Sequence, residues 1–166
     1  MTGAFDDLLA ANAEFASTFT GSALTGRAAR GLAVVTCMDS RIDPLGLLGL
    51  EPGDAKILRN AGARVTDDVL RTLVLAVFLL GVTRVLVMPH TDCGMAKVTD
   101  EDVHALARAH DVDTRSLEFR TVPDQDAALR HDLMRIKASP FLIEELAIGG
   151  AIYDVHTGKL RAIQLP

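Results

Sequence analysis

Two cysteines and one histidine stand out in a sequence of 166 residues. Cys37 and Cys93 are the only thiols, and His90 lies three residues before the second of them. Two thiolates and one imidazole suit a borderline-soft Zn²⁺ ion, and a set of three leaves a fourth position open, as a catalytic rather than a structural zinc requires. No further cysteine is present to close the shell. Beside the first thiol runs Cys37-Met38-Asp39-Ser40-Arg41. In an extended segment Cys37, Asp39 and Arg41 project to one side, which puts a carboxylate and a guanidinium next to the metal. Water on zinc must lose a proton before it attacks. Asp39 is placed to accept its hydrogen bond and orient the resulting hydroxide, while Arg41 holds Asp39 ionised and away from the metal. Taken singly, these residues have plainer readings: a buried cysteine, a hydrogen-bonded loop histidine, a surface ion pair worth about 0 to 1 kcal/mol. Their grouping sets the plain readings aside.

The donors work together only if the chain gathers them. Leu32 to Thr36 is a short, β-branched apolar run that reads as a buried parallel strand, with Cys37 at its C-terminal end. Arg84 to Met88 is another, and it delivers Pro89 and His90 to the equivalent place. Between them Ala55 to Arg59 reads as a strand ending at Asn60-Ala61-Gly62. Thr66 then caps a helix that has Asp67 and Asp68 in its first turn and Gly81 at its close. Ligands of open α/β sheets bind beyond the carboxyl ends of strands where the strand order reverses, so the three donors converge if the strands ending at Cys37 and His90 are neighbours. Upstream, Leu8, Leu9, Phe15 and Phe19 recur at helical spacing and predict an N-terminal helical arm over about residues 4–20. Asp100 to His110 and Asp124 to Lys137 read as helices that cover the sheet, and Gly149 to Ile163 alternates around Thr157-Gly158 as a final strand or hairpin. The expectation is a single α/β domain over residues 1–166, with a mostly parallel central sheet flanked by helices and a C-terminal edge strand or hairpin.

Composition excludes other classes. With 17 Lys and Arg against 22 Asp and Glu, the net charge of −5 gives no footprint for nucleic acid or an anionic membrane surface. Two cysteines are too few for a disulfide scaffold, and the acidic start lacks the charged region of a signal peptide, so a cytoplasmic protein is expected. The longest apolar run, Leu73 to Val82, falls short of the roughly 18 to 20 residues that span a bilayer and reads as a buried helix. Helices this apolar, the N-terminal one included, predict a homodimer or a higher homo-oligomer. His104, His110, His131 and His156 read as surface residues, and Asp100-Glu101-Asp102 as the charged start of a helix.

Cys37-x-Asp39-x-Arg41, Arg59-Asn60-Ala61-Gly62 and His90-x-x-Cys93-Gly94, in that order, resemble the β-class carbonic anhydrases of short bacterial type. The resemblance implies one Zn²⁺ per chain on Cys37, His90 and Cys93, an Asp39/Arg41 catalytic dyad, and reversible hydration of CO₂ to bicarbonate by a parallel-sheet dimer or larger assembly. In some members the counterpart of Asp39 turns onto zinc, which makes Asp39 a metal ligand only in a closed state. A regulatory bicarbonate pocket of certain members includes a tryptophan; this chain has none, and that site is not carried over. Gly62 and Gly94 are turn glycines by default and candidate substrate contacts, because a bare amide can approach a thiolate or a substrate. Two alternatives share the metal set: a carbonyl sulfide or carbon disulfide hydrolase, and a non-catalytic zinc- or bicarbonate-binding protein.

Overall fold

Residues that are stiff at χ1 and apolar on both faces make the central strand: Leu32–Cys37 forms β1, buried from Ala33 onward. The computed structural model describes residues 3–163, so the first two and last three residues of the expected 1–166 domain lie outside it. β2 (Ala55–Asn60) pairs with one side of β1 and β3 (Arg84–Met88) with the other, both parallel. β4 (Ala147–Tyr153) continues parallel beyond β3, and β5 (Leu160–Ile163) closes the sheet as an antiparallel hairpin partner, giving the order β2-β1-β3-β4-β5. Successive strands are added first to one side of β1 and then to the other, so the gap between the carboxyl ends of β1 and β3 is the switch point of the sheet. Thr36 pairs with Met88, and its hydroxyl donates to the Met88 carbonyl at 2.8 Å. The two strands therefore end level, with Cys37 closing β1 and His90 two residues past β3.

One face of the sheet is covered by α3 (Asp67–Leu80) and α5 (Gln125–Lys137). Val69, Leu73 and Ala76 of the first and Leu129, Leu133 and Ile136 of the second pack against Val35, Val85, Val87 and Ile152. Thr66 and Gly81 cap α3 as the sequence predicts: the Thr66 side chain accepts from the Val69 amide, and Gly81 is left-handed with φ 75°. On the opposite face α2 (Pro44–Leu48) backs a smaller cluster in which Val34, Ile42 and Met88 pack against Cys37 and Cys93. The α3 run is not buried all round. Its outer stripe of Leu75, Phe78 and Leu79 is exposed, because a helix on a sheet hides only one face. α1 (Asp6–Ser17), within the predicted arm, buries none of its residues. No helix among the described residues is long and apolar enough to cross a membrane.

α4 (Asp100–Arg108) departs from expectation: it buries no residue and does not cover the sheet. Its acidic start is a latch instead. The Asp100 carboxylate accepts the backbone N–H groups of Phe119, Arg120 and Thr121 and the Thr121 hydroxyl, tying residues 118–121 to the helix. The Thr121 hydroxyl and amide foremost hold its pKa down to about 2. A depressed carboxylate stabilises the fold fully above its ordinary pKa near 3.8 and loses that contribution as pH falls through the folded value. Asp100→Asn is expected to melt about 3–6 °C below wild type at neutral pH. Thermal melts across pH check the sign: the gap should narrow between about pH 4 and pH 2, and a gap constant with pH would assign the loss to something other than the charge.

Candidate active site

Two strand ends and one turn supply the centre. β1 ends in Cys37, and β3 runs through Pro89 into His90. A turn over Thr91 and Asp92, with Asp92 left-handed at φ 57°, then brings Cys93 back toward β1. The ligand atoms of Cys37, His90 and Cys93 lie within 4.8 Å of one another, and all three residues are buried. The two Sγ atoms are 4.0 Å apart. The imidazole is oriented from behind: Nδ1 donates to the Thr91 carbonyl at 2.8 Å, which leaves Nε2 as the lone-pair nitrogen. That Nε2 is buried and has no hydrogen-bond partner. A buried acceptor without a partner is costly, and a cation among the three donors removes the cost. The thiols favour the same occupant. Their shared hydrogen bond first, and then the His90 side chain and the amides of Asp39 and Gly62, pull the Cys37 pKa well down, while the same bond pushes Cys93 up. One proton thus serves two sulfurs, and a divalent ion displaces it. The residues present fit Zn²⁺.

The surroundings lock this geometry. The Thr91 amide donates to the Tyr153 carbonyl at 2.8 Å and the Tyr153 amide to the Pro89 carbonyl at 2.9 Å, so β4 clamps both sides of His90. The Gln125 side chain of α5 donates to the His90 carbonyl. Arg59, at the end of β2, spreads three donors over the loop after β1, reaching the carbonyls of Cys37 (2.9 Å), Ile42 (3.2 Å) and Asp39 (2.6 Å). Asn60 then brackets Arg64 through both its backbone groups, and Arg64 pairs with the buried Asp132 at 2.7 Å.

Asp39 and Arg41 meet by a route other than the expected extended segment. β1 stops at Cys37, and a turn follows in which the Ile42 amide donates to the Asp39 carbonyl at 3.1 Å. The turn folds the guanidinium onto the carboxylate, with Nε to Oδ1 at 2.9 Å and Nη2 to Oδ2 at 2.7 Å, and the Arg41 amide adds a third bond at 2.9 Å. These bonds hold the Asp39 carboxyl far below the usual range. Asp39 Oδ2 also lies 3.6 Å from His90 Nε2, so the carboxylate borders the three donors directly. Gly62 is left-handed with φ 76°, buried, and directs its amide at the Cys37 sulfur. Gly94 is exposed, and the direction a Cβ would take from it is open space. His104 is tied to Thr114 and packs edge-on against Phe119, away from the donors. Sequence reasoning passed over Arg59 as an anchor of carbonyls, and Asp92, which takes bonds from Arg41 Nη1 (2.8 Å) and Nη2 (3.2 Å). The signal for Asp92 was a guanidinium with more donors than one carboxylate can accept.

A family model described as carbonic anhydrase matches residues 32–160, the stretch that holds every one of these side chains. Beta-carbonic anhydrase 1 of Mycobacterium tuberculosis is 37% identical, with 95% of this chain and 96% of that protein aligned. The chain belongs to the β-carbonic anhydrase family. Zinc is the metal of these enzymes, and the Cys-His-Cys donor set suits it. The carbonic anhydrase of Streptococcus mutans superposes with a TM-score of 0.92 at 39% identity and covers 99% of both chains. A carbon disulfide hydrolase of Saccharolobus solfataricus is also related, at 32% identity over 80% of this chain and 76% of its own length.

Proposed function

We propose that this β-carbonic anhydrase is a carbonate dehydratase that interconverts CO₂ and bicarbonate, with one Zn²⁺ per chain held by Cys37, His90 and Cys93. The observation that carries the reading is the Asp39 carboxylate, gripped by Arg41 on both oxygens while it borders His90 Nε2 at 3.6 Å. Bound zinc would supply acidified water as the nucleophile. The residues of the chain do the rest. An ionised Asp39 is an acceptor only, so water at the open side of the donors gives it a hydrogen bond and is oriented by it. Arg41 keeps that carboxylate ionised and off the donors. Two thiolates place two negative charges beside the reacting water, so hydration favours alkaline pH.

Stopped-flow CO₂ hydration by zinc-loaded protein tests the reading; background turnover at full zinc occupancy would sink it. The carbon disulfide hydrolase relatives support a second reading, in which the same nucleophile attacks a longer, softer cumulene. Kinetics on one preparation separate the two: a larger kcat/KM for carbonyl sulfide or carbon disulfide than for CO₂ selects the hydrolase.

The proposal includes a homodimer or larger homo-oligomer. Phe5, Leu8, Leu9 and Phe15 of the N-terminal arm, and Leu75, Phe78 and Leu79 of α3, are more apolar surface than a solvated monomer usually shows. Light scattering at micromolar concentration is expected to give at least twice the mass of the chain, and a monomer would count against it. It also includes a cytoplasmic location, where a reducing medium keeps the two free thiols available for metal.

A further inference from the structure

Arg41 is shared. The Asp39/Arg41 pair spans two positions of one turn, and both residues reach the surface, the arginine side chain with 43% of its area exposed. Within the turn the pair is anchored only by the Arg41 amide on Asp39 Oδ1, and its outer half, Oδ2 with Nη2, has no tie there. The tie comes from Asp92, on the other metal-ligand loop and 51 residues away. Asp92 Oδ2 accepts from Arg41 Nη1 at 2.8 Å, and its carbonyl accepts from Nη2 at 3.2 Å. Asp92 is itself anchored, by Lys97 on its other carboxylate oxygen and by a left-handed backbone at φ 57° between His90 and Cys93. Two carboxylates and two cations thus alternate across the mouth of the site. Four hydrogen bonds hold the guanidinium, two from each side.

We infer that Asp92 is a positioning residue: it fixes Arg41 from the opposite loop, so that Arg41 in turn holds Asp39 beside the open metal position without letting it enter. Asp39 Oδ2 is already 3.6 Å from the lone-pair nitrogen of His90, so a small rotation of an unrestrained pair carries the carboxylate in among the donors. The turn alone does not prevent this: the Arg41 amide holds Oδ1, whereas Oδ2 is held by Nη2, which Asp92 keeps in place. The inference rests on the zinc site proposed above, although it is tested without turnover.

The probe is azide, titrated into cobalt(II)-substituted protein and followed by visible absorption at one fixed pH. Asp92→Gly keeps the left-handed backbone and removes the carboxylate. If Asp39 then fills the open position nine-tenths of the time, the apparent Kd for azide rises about ten-fold, because affinity falls with the fraction of competent sites. Asp92→Asn retains one acceptor oxygen for Nη1 and is expected to lie between the two. In an Asp39→Asn background the Asp92→Gly effect should vanish, since the competing carboxylate is gone. Azide affinity unchanged in Asp92→Gly overturns the proposal. So does a loss that persists undiminished in the Asp39→Asn background, and so does loss of cobalt from Asp92→Gly, which would make Asp92 a scaffold for the ligands. Failure of wild-type protein to hydrate CO₂ would sink the proposed activity and leave this result standing.

Discussion

Cys93→Ser is expected to leave purification with less than about a tenth of the zinc bound by wild type, because it keeps two of three donors. A serine hydroxyl stays protonated at neutral pH and is a hard donor, so only Cys37 and His90 remain to hold the ion. The nearest further donor, the Asp39 carboxylate, is held off by Arg41, and among the described residues Cys37, His90 and Cys93 are the only group of histidine, cysteine or carboxylate donors close enough to share a metal. The lost proton-sharing partner also matters, because the Cys93 hydrogen bond is the foremost influence keeping Cys37 in its thiolate form. The fold should survive, since both cysteines sit at the edge of the smaller hydrophobic cluster and the larger one lies on the far face of the sheet. Elemental analysis beside far-ultraviolet circular dichroism reads both quantities. Full zinc in a folded Cys93→Ser protein would mean that the donors have been misassigned.

Asp39→Asn and Arg41→Ala are expected to give the opposite pattern, with zinc near one per chain and kcat lower by about 10²–10⁴-fold, the range for removing a positioned acid–base group. Asparagine matches aspartate in shape but carries no charge, and its amide can turn a donor toward water where an acceptor is needed. Arg41→Ala leaves the carboxylate but removes both of its side-chain bonds, and with them the force that keeps it ionised and off the donors. Stopped-flow hydration paired with metal analysis on each preparation separates this outcome from simple loss of zinc. Near-wild-type turnover at full occupancy in either variant would take the dyad out of the chemistry.

The strands were legible because each is a short β-branched run with a polar break after it, and the helix of Thr66 to Gly81 because both its caps are written in residue type. Adjacency of the strands ending at Cys37 and His90 was a condition rather than a reading, and it holds: β1 and β3 pair directly. Local conformation between the motif residues was less legible. Cys37, Asp39 and Arg41 alternate as a strand would, yet the chain turns at once, because Arg59 gathers the carbonyls of Cys37, Asp39 and Ile42 and a straight segment could not offer all three. Such a bond between side chain and distant backbone leaves no periodic trace. For α4 the acidic run was rightly read as a helix start, but periodicity does not say which body a helix rests on, and Asp100 is spent on the 118–121 loop.

Register between β1 and β3 has a consequence for how an ion comes and goes. Thr36 lies opposite Met88 and is bonded to it, so the spacing of Cys37 and His90 is determined by sheet pairing before any ion arrives. In small zinc modules the ion gathers a loose chain, and a chelator unfolds it. Here the ordering entropy of the donors is settled when the sheet forms, which makes the site a rigid template. Ions can exchange through such a template without refolding, and discrimination among them falls to donor softness and to the donor spacing that two strand ends and one turn impose.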